Sequence, residues 1–123
     1  DKIETIDGGV NVVDFKTGMP KSRNAIQGKT KHDTGNYWRQ LQFYRLLLDL
    51  EGKHSFVSAE LDFVQPDPRG NYHKEVFRIT REEIEDLSVL IQKSATEIWN
   101  LKFWKKRCDR KECEYCGFRD LMT

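Results

Sequence analysis

The stretch that decides the fold is VNVVDFKTGMP, residues 10–20. Valines at 10, 12 and 13 with Phe15 suit a pleated, half-buried strand. That strand carries Asp14 and Lys16 and then stops at Gly18 and Pro20. Residues two apart in a strand point to the same side, so this carboxylate and amine share a face. Two readings follow. One is an exposed ion pair on an edge strand; the other is an acid and a lysine aimed together at a phosphate.

Upstream, KIETID and VNVVDFKT flank the Asp7-Gly8-Gly9 turn, a strong hairpin signal. With Asp7-Gly8 at the centre, Ile6 faces Gly9 and Asp1 lies opposite Asp14. With Gly8-Gly9 at the centre, Asp1 faces Lys16. Either register leaves Asp1, Asp14 and Lys16 on one face, with cross-strand Cβ atoms about 5 Å apart. Carboxylates that close repel unless a cation lies between them, and hard oxygen ligands select Mg²⁺ or Mn²⁺. A lysine beside such an ion can neutralise charge developing at a phosphorane-like transition state. The acid-x-Lys triplet alone says little, because it recurs at Glu51-Gly52-Lys53 and Asp109-Arg110-Lys111.

Downstream, a glycine-punctuated loop over 18–35 leads to a helix, NYWRQLQFYRLLLDLEG, that stops at Gly52. Counting about 100° per residue puts Arg39, Gln42, Arg45 and Asp49 on a polar side, with Tyr37, Leu41, Tyr44 and Leu48 on an apolar one. Gln40 falls nearly opposite the polar side, flanked by Leu47 and Tyr44. It is either a core glutamine bonded to backbone or, with Tyr44 one turn on, part of the same pocket as the hairpin acids. SFVSAELDFV alternates as a half-buried strand, QPDPRGN turns, and YHKEVFRI returns antiparallel. Thr80 and Glu83 form a capping box. The helix it opens carries an apolar stripe of Ile84, Leu87, Ile91, Ala95, Ile98 and Leu101. The expected order is β-β-α-β-β-α, ending in the cysteine tail CDRKECEYCGFRDLMT.

The 123 residues suit one domain with a modest core, and 33% charged with 11% aromatic residues excludes disorder. A net charge of +1 says nothing of partners. No apolar run approaches the roughly 20 residues of a membrane span. The opening DKIETIDGG is no signal peptide, and the absence of an initial Met implies a piece of a longer protein. Three cysteines within one short tail make a poor disulfide framework, implying a reducing, cytoplasmic setting. Lys16, Lys21, Arg23, Lys29 and Lys31 stand in a stretch free of acids and suit a DNA backbone. Lys102, Lys105, Lys106, Arg107, Arg110 and Lys111 form a second basic cluster around Trp104, which reads as core cover rather than a stacking platform.

The pattern DKIETIDGGVNVVDFKTG resembles the Asp…Asp-x-Lys hairpin of the PD-(D/E)xK nuclease superfamily, and QLQFY resembles the Gln-x-x-x-Tyr motif of its RecB-like branch. The likeness covers essentially the whole chain. It implies an α/β restriction-endonuclease-like core, a central mixed sheet flanked by helices. It also implies Mg²⁺ or Mn²⁺ held by Asp1, Asp14 and the Phe15 backbone carbonyl, with Lys16 catalytic and Gln40 and Tyr44 organising the site. The activity implied is DNA hydrolysis, exonucleolytic, in repair or recombination with a helicase on the same or a partner chain. The alternative is a nuclease-like module that binds DNA or braces the helicase without cutting; a third reading is a small zinc module with an incidental Asp-x-Lys. Relatives begin with a helix and strand before the first acid, so residues 1–123 correspond to one N-terminally truncated nuclease domain with a tail over 102–123. Relatives also hold an iron–sulfur cluster through a terminal Cys-x-x-Cys-x5-Cys. Here Cys113 and Cys116 fit, Met122 replaces the last ligand, and Cys108 is an extra thiol. Three thiolates do not complete such a cluster or a zinc site. The expectation is therefore a tail without metal, anchored by Tyr115, Phe118 and Leu121.

Overall fold

The computed structural model describes residues 1–102, 106–110 and 113–121. Trp104, Lys105, Lys111 and Met122, which carried parts of the reading above, lie outside them. The elements run β1 (Lys2–Ile6), β2 (Gly9–Lys16), α1 (Arg23–Ile26), α2 (Asn36–Glu51), β3 (Phe56–Phe63), β4 (His73–Phe77), α3 (Arg81–Trp99) and α4 (Glu114–Asp120). They form two compact units, Asp1–Ser88 and Val89–Thr123, with the boundary inside α3. The fold is α/β, a mixed four-stranded sheet flanked by helices and of the restriction-endonuclease-like kind.

In the first unit the sheet order is β1-β2-β3-β4. The outer pairs are antiparallel, whereas β2 and β3 run parallel because α2 carries the chain back between them. The hairpin takes the first of the two expected registers, with Ile6 opposite Gly9 and Lys2 opposite Val13. Gly9 is required there. A Cβ at this position would lie 2.0 Å from the Ser55 carbonyl oxygen, the same oxygen that accepts from Val10 N at 2.8 Å.

β2 corrects the reading of a half-buried strand. Residues Val10 to Asp14 are all buried, on both faces, as expected for an inner strand with a parallel neighbour. An edge-strand ion pair is thereby excluded. The core joins Val10 and Val12 to Ala59, Leu61, Phe63 and Phe77 of the sheet and to Ile26, Leu41, Leu48, Ile79 and Ile84. Ile26 comes from α1, which the sequence reading left within a loop. Ser22 caps it by accepting from Ala25 N.

α2 ends at Gly52 in the left-handed conformation, its N–H bonded to the Leu48 carbonyl. The polar side of α2 is only partly solvent-facing. Gln42 donates to the Glu83 carbonyl at 3.2 Å, and the Arg45 guanidinium donates to the Ile79 carbonyl. These bonds fasten the helix to the entry of α3, where the expected capping box forms reciprocally: Thr80 N to Glu83 Oε2 at 2.8 Å and Glu83 N to Thr80 Oγ1 at 3.3 Å. Leu47, expected on the buried side beside Gln40, is exposed.

In the second unit, the remaining turns of α3 precede α4. Of the α3 stripe, Ile84 and Leu87 are buried, whereas Ala95, Ile98 and Leu101 are exposed. Helical spacing identifies an apolar side but not what covers it. Tyr115, Phe118 and Leu121 are 87%, 68% and 86% exposed; they do not anchor the tail. Among the described residues, no helix is long and apolar enough to cross a membrane.

Candidate active site

Five residues from the hairpin and α2 converge. Asp14 is 1% exposed; its burial follows from the inner position of β2 and the packing of α2 over that face. Lys16 follows two residues on. Its Nζ lies 2.8 Å from Asp14 Oδ1 and 3.1 Å from Oδ2, and donates to Gln40 Oε1 at 2.6 Å. Gln40 Nε2 in turn donates to the Tyr44 hydroxyl at 2.8 Å. The buried side of α2 thus supplies an amide whose two ends meet different partners, and the core-glutamine reading gives way to the pocket reading.

Tyr44 joins the two acids. Its hydroxyl lies 3.0 Å from Asp14 Oδ2 and 3.1 Å from Asp1 Oδ2. Burial first, and then its bond to the Asp14 carboxylate, push the phenol above its ordinary value. A phenol has one proton, so only one of those carboxylate oxygens receives it at a time. The other is left facing oxygen. Such a surplus of anionic oxygens suits a hard divalent cation, and the two acids are the right donor class for Mg²⁺ or Mn²⁺. Asp1 is oriented by the Phe15 amide, which donates to Asp1 Oδ1 at 3.3 Å. An apolar groove of about 430 Å³, lined by Ile3, Val12, Leu47 and Leu48, adjoins the site at Asp1 and Tyr44.

The loop over 18–35 is more tied down than its composition implies. Lys21 pairs with Asp33 at 2.6 Å. This bond raises the lysine above its ordinary value, and the same bond, then one from Thr30, lowers the aspartate. Arg23 pairs with Glu75 at 2.9 Å, donates to the Val76 carbonyl and lies over the Phe77 ring. Lys29 donates to Gln27, and Lys31 is exposed. The reading from sequence missed Tyr37, assigned to the apolar side of α2. Its ring faces both Lys16 Nζ, 4.6 Å from the centroid, and Lys21 Nζ, 5.3 Å away. An aromatic one turn before Gln40 is the signal that could have found it.

In the second unit the Sγ atoms of Cys108, Cys113 and Cys116 lie within 4.8 Å of one another, all free thiols. The trio is drawn from residues 108–116 alone. His54 and His73 bond Glu51 and Asp67. Cys113 is lowered to about 7, chiefly by the Cys116 amide and then by the Cys108 side chain, while the neighbouring thiols raise Cys108. Because the thiolate is the nucleophile, alkylation of Cys113 by iodoacetamide should rise with pH and be half-maximal near pH 7. Cys108 should follow only in more alkaline solution. Peptide mass mapping across pH checks this; simultaneous labelling of the two would refute it.

The sequence model of the PD-(D/E)XK nuclease superfamily matches residues 1–121. No curated protein and no solved structure matches the chain.

Proposed function

The chain belongs to the PD-(D/E)XK nuclease superfamily, and we propose that it is a divalent-metal-dependent deoxyribonuclease of the RecB-like branch. It acts exonucleolytically beside a helicase, on the same or a partner chain, in DNA repair or recombination. The observation that carries this reading is the single hydrogen-bonded cluster of Asp1, Asp14, Lys16, Gln40 and Tyr44. Asp1, Asp14 and the Phe15 carbonyl are the groups that would hold Mg²⁺ or Mn²⁺. When bound, that ion supplies Lewis acidity and hydroxide at neutral pH.

The chain's own residues do the rest. Lys16 presents its ammonium beside the acids, where it can hydrogen-bond a non-bridging phosphate oxygen and stabilise charge as it develops. Gln40 fixes the direction of that amine. Tyr44 keeps its proton and holds the two carboxylates at a set separation. Lys29 and Lys31 are exposed toward solvent, and Lys21 and Arg23 can exchange their carboxylate partners for phosphates. Three cysteines confined to residues 108–116, an odd number and a poor disulfide framework, suit a reducing, cytoplasmic setting.

Product analysis tests the exonuclease reading. With Mg²⁺ or Mn²⁺, linear DNA labelled at either end should shorten from an end, and covalently closed circles should stay intact. Nicked or linearised circles would instead identify an endonuclease.

A further inference from the structure

Three groups surround the Lys16 amine. Asp14 holds it from β2, Gln40 from α2, and the Tyr37 ring closes the side toward the loop over 18–35. The ring itself is set by the core, because it lies 6.5 Å from the ring of Phe63, which is fully buried. It also receives Lys21, whose amine is held by Asp33. The π-face of an aromatic ring is its negative side, and a partly desolvated ammonium is attracted to it. An aromatic serving only to fill the core has no need of two ammonium groups.

We infer that Tyr37 is a positioning residue for the Lys16 amine, and that Lys21 registers the loop on the same ring. The inference rests on the nuclease reading for its kinetic consequence but not for its geometry. Because the attraction comes from the ring, phenylalanine should serve and an aliphatic side chain should not.

The test uses protein with ¹³C-labelled lysine, the Lys16 ε-methylene signal being assigned by its loss in Lys16→Arg. That signal should be shifted upfield by the ring current in the unmodified protein and in Tyr37→Phe. In Tyr37→Leu it should move to the ordinary lysine position. In cleavage assays, Tyr37→Leu should lower kcat about tenfold, with KM and Mn²⁺ affinity unchanged. Tyr37→Phe should restore it. The absence of a ring-shifted Lys16 signal in the unmodified protein overturns the inference, and this decides the matter even if Tyr37→Leu fails to fold. A joint loss of kcat, KM and Mn²⁺ affinity in Tyr37→Leu would likewise overturn it, by marking a structural role. Ring-shifted lysine signals in a protein that never cuts DNA would leave the positioning intact and remove the nuclease reading.

Discussion

Replacing Lys16 with alanine is expected to lower DNA cleavage by about 10²–10⁴-fold while changing DNA affinity little. The amine touches both oxygens of Asp14, so it stands where charge would build on a phosphate held at the acids. Its side chain is only 13% exposed and adds little to the surface a DNA backbone meets. On the function proposed above, that surface is carried by the exposed Lys29 and Lys31, joined by Lys21 and Arg23 when they exchange their carboxylate partners for phosphates. The substitution has a structural cost, because Asp14 is left in a buried position with Tyr44 as its remaining side-chain donor. Orphaning one member of a buried pair costs up to about 3–5 kcal/mol. A divalent ion bound at Asp14 would offset this by giving the carboxylate a new partner, so thermal stability should be compared with Mn²⁺ present. Arginine should not rescue activity, since its planar fork cannot meet Asp14, Gln40 and the Tyr37 ring from one point. Should the unmodified protein bind DNA and never cut it, the chain would be a brace rather than an enzyme.

Asp14→Asn is expected to weaken Mn²⁺ binding at least about 100-fold with the fold retained. Asparagine has the same shape, and its carbonyl can still accept from Tyr44 or Lys16. What it removes is the anionic oxygen pair, and with it the charge that selects a hard cation. Leaving Lys16 beside an amide costs about 1–3 kcal/mol, visible as a lowered melting temperature with an unchanged circular dichroism spectrum.

Much of this architecture was legible because its signals are local. The Asp7-Gly8-Gly9 turn marks the hairpin and puts Asp1, Asp14 and Lys16 on one face in either register, although the choice between the two registers came from the structure. Helical spacing aligns Gln40 with Tyr44, and the capping box at Thr80 and Glu83 marks the start of α3. What was hidden depends on neighbours far along the chain. The valines of β2 looked half-buried because the parallel partner β3 arrives only after α2. Arg23 looked free for DNA because its acid, Glu75, lies 52 residues away. Tyr37 looked like core because periodicity reports a side of the helix and not the cations gathered against it. The tail misled for a related reason: Tyr115, Phe118 and Leu121 are apolar, yet apolarity supplies no covering surface.

The most direct measurement is a Mn²⁺ titration of the unmodified protein and of Asp14→Asn, read in parallel by calorimetry and by cleavage of labelled DNA. The account predicts that heat and cleavage saturate together in the unmodified protein and that Asp14→Asn shows neither. Unchanged Mn²⁺ affinity in Asp14→Asn would contradict it.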